Sequence, residues 1–327
     1  MVKRGSLQLI VGLLAVVCIA ILARLSVPEY RMPAGWSVLR PPEDVHALAV
    51  QGDLVWSGGR DGLVAVERQT SRLLPVEQGQ PDFRYVKDLL VDSSGSLWVA
   101  HQGGLHRRTS GGWQALSLVE GAPSGPATAL FQDRSGALWI GTESGVVRYD
   151  GGSWRAYGLR DGLAAVPVDV IFEDRDGVFW FGSASPTHGG LTRYDGRDWT
   201  AYSIDNGLAH NSVNAIVQDR SGALWFGTGF HDRGGASRLW NGEWTGFSRK
   251  DGLAGEKVRS ILEDRAGRLW FGSEYEGVAI QSAEGWRTVT PNEGLASWEV
   301  KEMLLDPDGV LWMGTTDGLS RVEPVGQ

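Results

Sequence analysis

Residues 222–228 read Gly-Ala-Leu-Trp-Phe-Gly-Thr, one of seven versions of a single phrase in this 327-residue chain. The others are LVWSGG at Trp56, GSLWVA at Trp98, GALWIGT at Trp139, GVFWFGS at Trp180, GRLWFGS at Trp270 and GVLWMGT at Trp312. The seven tryptophans lie 42, 41, 41, 45, 45 and 42 residues apart. A period in the forties, made of short strands and Gly-rich turns, indicates a β-propeller with one four-stranded antiparallel blade per repeat.

The residues around Trp225 lay out one blade. VNAIVQD (213–219) reads as the innermost strand a, and the turn RSG leads into ALWFGT, strand b. After an excursion through Gly234 and Gly235 comes ASRLW, strand c; the turn NGE leads into WTGFS, strand d. KDGLAGE then crosses to strand a of the next blade. Alternating apolar runs bounded by turn residues are the pattern of short antiparallel strands. A second aromatic series, Trp113, Trp154, Trp199, Trp244 and Trp286, marks strand d, with Leu73-Leu74 in its place in the first repeat. The seventh repeat ends after GLSRVEP, and the missing strand stands at the other end as GWSVL around Trp36. Residues 36–40 are therefore expected to pair with 319–323, giving a seven-bladed all-β ring over 36–323 without open edges.

The Asp-x-x-Gly of the a–b turns recurs at Asp133-Gly136, Asp174-Gly177, Asp219-Gly222 and Asp264-Gly267. An Asp opening a turn accepts backbone N–H groups while Gly takes the positive φ. Two of these stretches, from Asp174 and from Asp306, look faintly like calcium loops but lack the full ligand series, so they read as turns.

Leu7 to Ala23 carries no charge and one polar side chain, Gln8. As a helix it is ~25 Å long, enough for a short membrane span. Without a good small-x-small cleavage site it reads as an uncleaved signal anchor, a cleaved signal peptide being the alternative. Lys3 and Arg4 precede it, which places residues 1–6 in the cytoplasm and the propeller in the periplasm or outside the cell, on a tether of residues 24–35. Cys18, the only cysteine, lies in that span, so the outer domain has neither disulfides nor thiol chemistry. The net charge of −8 becomes −11 once Lys3, Arg4 and Arg24 are set aside. An acidic domain without a basic run excludes nucleic acid as an expected partner.

Residues 262–280 (LEDRAGRLWFGSEYEGVAI) and 207–228 (GLAHNSVNAIVQDRSGALWFGT) resemble the two-component regulator propeller repeat of the outer sensor regions of bacterial hybrid sensor kinases. The likeness covers essentially all of 36–323 and implies a sensing role. Such proteins usually continue into an immunoglobulin-like module, a second span and a kinase; none of these is read here, so direct phosphorelay is not expected. The chain is more loosely similar to streptogramin lyase, whose metal-linked histidines and glutamate find no residue-by-residue counterparts.

In a propeller the b–c turns and d–a crossings open on one face. Blades four and five carry the longest b–c connections, SASPTHGG (183–190) and TGFHDRGG (228–235), which place His188, Phe230, His231, Asp232 and Arg233 on one rim beside Glu274, Tyr275 and Glu276. Such a cluster could bind a divalent cation or an anion, or be exposed loop chemistry without a ligand. The second residues of the seven a strands are His46, Lys87, Thr128, Asp169, Asn214, Arg259 and Lys301. By two-residue alternation they share one orientation at the channel mouth. Four potential cations against one Asp would suit a carboxylate, phosphate or sugar acid; the alternative is a hydrated channel entrance. His210 and Trp298 lie on crossings of the same face, and an exposed indole at 298 could stack on a sugar or a partner, or fill a gap between blades. No G-x-S-x-G elbow or Ser/His/acid pairing supports nucleophilic catalysis. The expectation is a membrane-anchored, non-catalytic sensor that needs no cofactor. It would bind a small molecule or glycan fragment and contribute to two-component-type signalling through a membrane sensor kinase or another envelope protein. A protein-interaction scaffold, and a metal-assisted lyase or hydrolase using His188, His231 and a blade-six carboxylate, are the alternatives.

Overall fold

The structure is a computed structural model that describes residues 33–116 and 126–324. The expected membrane span lies outside the described residues; among them no helix is long and apolar enough to cross a membrane.

Seven antiparallel sheets follow one another in chain order. In blade five, strand a is Val213–Gln218, b is Leu224–Phe230, c is Arg233–Trp240 and d is Glu243–Phe247. The expected closure is present: Trp36–Leu39 pairs antiparallel with Leu319–Val322, in the register Trp36↔Val322 through Leu39↔Leu319. Blade one departs from four strands. Its sheet has three, and the fourth shrinks to a bridge between Val66 and Leu73, backed by the Leu74 amide donating to the Ala65 carbonyl at 2.8 Å. Proline at 75 and the absence of an aromatic anchor leave nothing to extend that strand.

Each indole of the repeat is held from the turn before it. Asp92, Asp133, Asp174, Asp219, Asp264 and Asp306 each accept the indole N–H of the tryptophan six residues later, at 2.7–3.1 Å. The other carboxylate oxygen takes turn amides, as Asp133 does from Ser135 and Ala137, both at 2.9 Å. Burial would raise the Asp133 pKa, but the bonds from Ser135, Trp139 and Ala137 outweigh it and hold the carboxyl below its ordinary value. Blade one does the same with an amide, Gln51 Oε1 accepting Trp56 Nε1 at 2.9 Å.

The glycine two residues after the tryptophan serves the next blade. A Cβ on Gly314 would lie 2.6 Å from Val45, and one on Gly58 would lie 2.4 Å from Val86. Blade two has Ala100 there instead, and the following strand begins with the smaller Ala127; both are fully buried. The second aromatic series has a matching cause. Gly252, at φ +122° in the crossing, leaves room for Trp286: a Cβ would sit 2.3 Å from its ring. Only glycine combines that backbone with that contact.

On the lower face, where the a–b turns lie, arginines link successive blades. Arg134 donates to the Arg175 carbonyl at 2.8 Å, Arg175 to that of Arg220 at 3.2 Å, and Arg220 to that of Arg265 at 2.7 Å. Buried Arg68 closes the ring from blade one to Asp308 of blade seven at 3.0 Å.

Candidate ligand-binding face

The upper face holds the b–c turns and the d–a crossings. In six blades the register shifts at the second residue of strand a, a β-bulge at His46, Lys87, Thr128, Asn214, Arg259 and Lys301. A bulge re-aims the extra residue's side chain, so the polar series does share a structural position. Its members then diverge in what they contact. Thr128 Oγ1 donates to the Val168 carbonyl of the next blade at 2.6 Å. Asn214 Nδ2 donates to the carbonyls of Gly229 and Val258, both at 3.1 Å. Asp169, whose strand begins at Val170, accepts the Ala184 amide at 2.7 Å, and burial raises its pKa. Lys87 is exposed and makes no ion pair among the described residues.

The remaining three belong to a chain of ion pairs across blades six, seven and one. Arg259 meets Glu299 at 2.7 Å and Glu274 at 3.7 Å; Glu274 also pairs with Lys257. Lys301, almost buried, pairs with Asp44 and lies 3.5 Å from Glu299, while Arg60 approaches Asp44 at 3.7 Å. His46 stands 3.4 Å from Asp44, but burial and the Lys301 charge push its pKa down to about 4, so it is neutral at pH 7. Apart from Lys87, the cationic excess expected at the mouth is thus neutralised locally. The counter-charges Asp44, Glu274 and Glu299 come from the crossings and a b–c turn, outside the series that the repeat exposes.

Blade five corrects the expected loop. Strands b and c run on to the tip, with Thr228↔Gly235, Gly229↔Gly234 and Phe230↔Arg233 paired and His231-Asp232 as the turn. The glycines permit this: a Cβ on Gly234 would fall 2.3 Å from the Gly229 Cα. His231 takes φ +52° at the tip, and Lys257 lies 5.7 Å from the Phe230 ring centre. His188 sits in blade four's connection with Nδ1 3.0 Å from Thr187 Oγ1. His210 accepts the Ser212 amide at 2.9 Å. Among the described residues no three His, Cys, Asp or Glu side chains are placed to hold a metal ion.

Over blades five to seven three aromatic side chains stand open on this side: Phe230 (37% exposed) on the blade-five hairpin, Tyr275 (52%) in the blade-six b–c turn and Trp298 (46%) on the crossing to blade seven. The Trp298 carbonyl accepts the Gly277 amide at 2.8 Å, which fixes the backbone beneath the exposed indole. The Glu274 carboxylate beside Tyr275 raises the phenol's pKa.

Sequence reasoning missed two acids one residue further along strand a. Asp88 accepts the Leu89 and Leu130 amides at 2.7 Å, and burial raises its pKa to about 7. Burial, with the Asp88 charge added, raises Glu302 to about 8. The signal was available: the corresponding residues are Ala47, Ala129, Val170, Ala215 and Ser260, so a carboxylate there is anomalous.

Three segments, 121–144, 207–230 and 252–275, match the family described as two component regulator propeller. The matched segments around Trp225 and Trp270 contain a crossing, strand a, its turn and strand b. No curated protein matches the sequence. Among solved structures, the extracellular domain of a protein assigned as a hybrid two component system from B. thetaiotaomicron superposes with a TM-score of 0.77 at 20% identity, over 89% of this chain and 41% of that one. The chain therefore spans about two-fifths of that relative. A catalytically inactive virginiamycin B lyase from Staphylococcus aureus, solved with quinupristin, gives 0.70 at 17% identity, over 89% of this chain and 99% of that one. PorZ of Porphyromonas gingivalis, a component of the type-IX secretion system, gives 0.61 at 16%, over 86% of this chain and 53% of that one. Such identities establish the common fold. The chain is thus a seven-bladed propeller, three segments of which match the two component regulator propeller family.

Proposed function

We propose that this propeller is a non-catalytic sensor that captures a small molecule or glycan fragment on its upper face over blades five to seven. The carrying observation is the set of exposed aromatics, Phe230, Tyr275 and Trp298, around a floor of paired charges running from Lys257 to Lys301. Aromatic faces stack on apolar sugar faces, and paired Arg and carboxylate groups offer fixed donors and acceptors to hydroxyls. Because the floor is neutralised, a polyhydroxylated ligand suits it better than a simple anion. The regulator repeats and the likeness to a hybrid-system extracellular domain support the sensing role. In this reading residues 7–23 anchor the domain outside the cytoplasm, and the ligand's arrival is reported to a membrane sensor kinase or another envelope protein. A glycan array probed with wild type and with Trp298→Ala tests it. Retention of a discrete set of glycans by wild type, lost in the variant, is expected; no retained glycan, or identical patterns, removes the support.

The scaffold reading has its own observation. Leu159 and Ile204, 57% and 56% exposed, lie on successive crossings of the same face. Ligand-independent association with a partner, broken by Ile204→Asp, would favour it.

A further inference from the structure

The seam between blades seven and one lacks two pieces that the other described seams possess. At five seams a buried side chain from the d–a crossing plugs the gap: Phe83, Leu163, Leu208, Leu253 and Leu295, all at most 5% exposed. The residue after the repeat tryptophan of the next blade packs beside it, as Val99, Phe181, Phe226, Phe271 or Met313. The crossing into blade one is only Arg40 to Asp44, without a Gly-Leu-Ala segment, and the residue after Trp56 is Ser57. A cavity of ≈ 260 Å³ results, lined by Pro41, Pro42, Ser57, Gly59, Gly62 and Val64. It is held open rather than collapsed: the Arg40 guanidinium donates to the carbonyls of Ala296 and Asp317, pinning the short crossing.

Ser57 is 1% exposed, and its hydroxyl has no hydrogen-bond partner. A buried unpaired hydroxyl is costly to leave so. The other blades indicate what it lacks. In blades four, five and seven the amide of the alanine after the plug donates to a strand-c hydroxyl: Ala164 to Thr192 at 2.9 Å, Ala209 to Ser237 at 2.8 Å, Ala296 to Ser320 at 2.7 Å. In blade one strand c has Val64 at that place, and Ser57 is its register partner on strand b. The hydroxyl has moved one strand inward, and the plug with its amide is missing.

We infer that this seam is a docking site for an extended peptide segment that inserts a leucine side chain and donates the following amide to Ser57. Glu43 on the cavity wall makes no ion pair among the described residues, while Asp61 faces Arg60 at 3.6 Å, so a basic residue flanking the leucine is the complement of Glu43. The site lies outboard of the channel mouth and does not depend on the ligand proposed there. The test titrates the full chain with acetyl-Arg-Gly-Leu-Ala-Arg-amide and with its Leu→Ser counterpart. Ser57→Phe reproduces blades four to six, and Ser57→Val is the milder filling should that variant fold poorly. The leucine peptide is expected to bind wild type at least about tenfold tighter than the serine peptide, and either variant to lose about tenfold. Equal binding of the two peptides, no binding at millimolar concentration, or folded variants that bind like wild type would each overturn the inference.

Discussion

Removing the carboxylate beneath one repeat tryptophan tests how the blades are held. Asp219 accepts Trp225 Nε1 at 2.8 Å on one oxygen, and Ser221 Oγ at 2.6 Å and the Ala223 amide at 3.0 Å on the other. Trp225 and Ala223 are each 2% exposed, so Asp219→Ala leaves two donors buried without partners, while the Ser221 hydroxyl can turn to water. Each orphaned donor costs about 1–3 kcal/mol, which puts the variant about 2–6 kcal/mol below wild type. Asp219→Asn keeps one acceptor and turns an NH₂ toward the indole, so about half that loss is expected. The assay is urea unfolding at pH 7, read as a double-mutant cycle with Trp225→Phe, whose ring needs no acceptor. The cycle should give a coupling of about 1–3 kcal/mol between positions 219 and 225. A coupling within measurement error would refute the reasoning, because the indole bond would then carry no weight.

Other outcomes follow from the same contacts. Gly252→Ala should cost about 2–4 kcal/mol, since strained backbone and the Trp286 ring both oppose a Cβ, whereas Gly242→Ala, at φ +81° with nothing within 4 Å, should cost about 1; unfolding midpoints decide. Asp88 and Glu302 have folded pKa values of about 7 and about 8, above their ordinary ones, so the folded state holds more protons than the unfolded chain between pH 4 and 8. Stability should therefore fall as pH rises through that window, and Asp88→Asn with Glu302→Gln should flatten the slope in pH-resolved melting. Lys301→Met leaves Asp44 and Glu299 without that cation and should destabilise the domain by about 3 kcal/mol. It should also move the His46 pKa upward from about 4, because the Lys301 charge, after burial, is the largest cause holding it down; NMR titration measures this.

The ring was legible because the blades repeat their constraints: an indole in all seven, a turn acid in six and a glycine facing the next strand in six. Even the swap of Gly and Val for Ala100 and Ala127 sits at recognisable repeat positions. The face was less legible because its energetics depend on contacts between blades at positions that do not repeat. Arg259 and Lys301 look like free cations in a list of second residues, while their partners Glu299 and Asp44 lie in crossings of unlike sequence. The blade-five hairpin looks like a loop in the sequence because glycine weakens a strand; here Gly229, Gly234 and Gly235 let two strands approach too closely for any side chain. Ser57 was visible as an exception among six large residues, but its cavity also required the short crossing to lie where it does.

The central claim, ligand capture on the upper face, is tested most directly by thermal shift of the full chain against sugars, sugar acids and nucleotides. A ligand at a hundred times its dissociation constant adds about 2.7 kcal/mol to stability. The account predicts at least one stabilising compound whose effect disappears in Arg259→Ala and in Trp298→Ala but persists in the lower-face variant Arg175→Ala. A stabilising compound indifferent to both upper-face changes would contradict it.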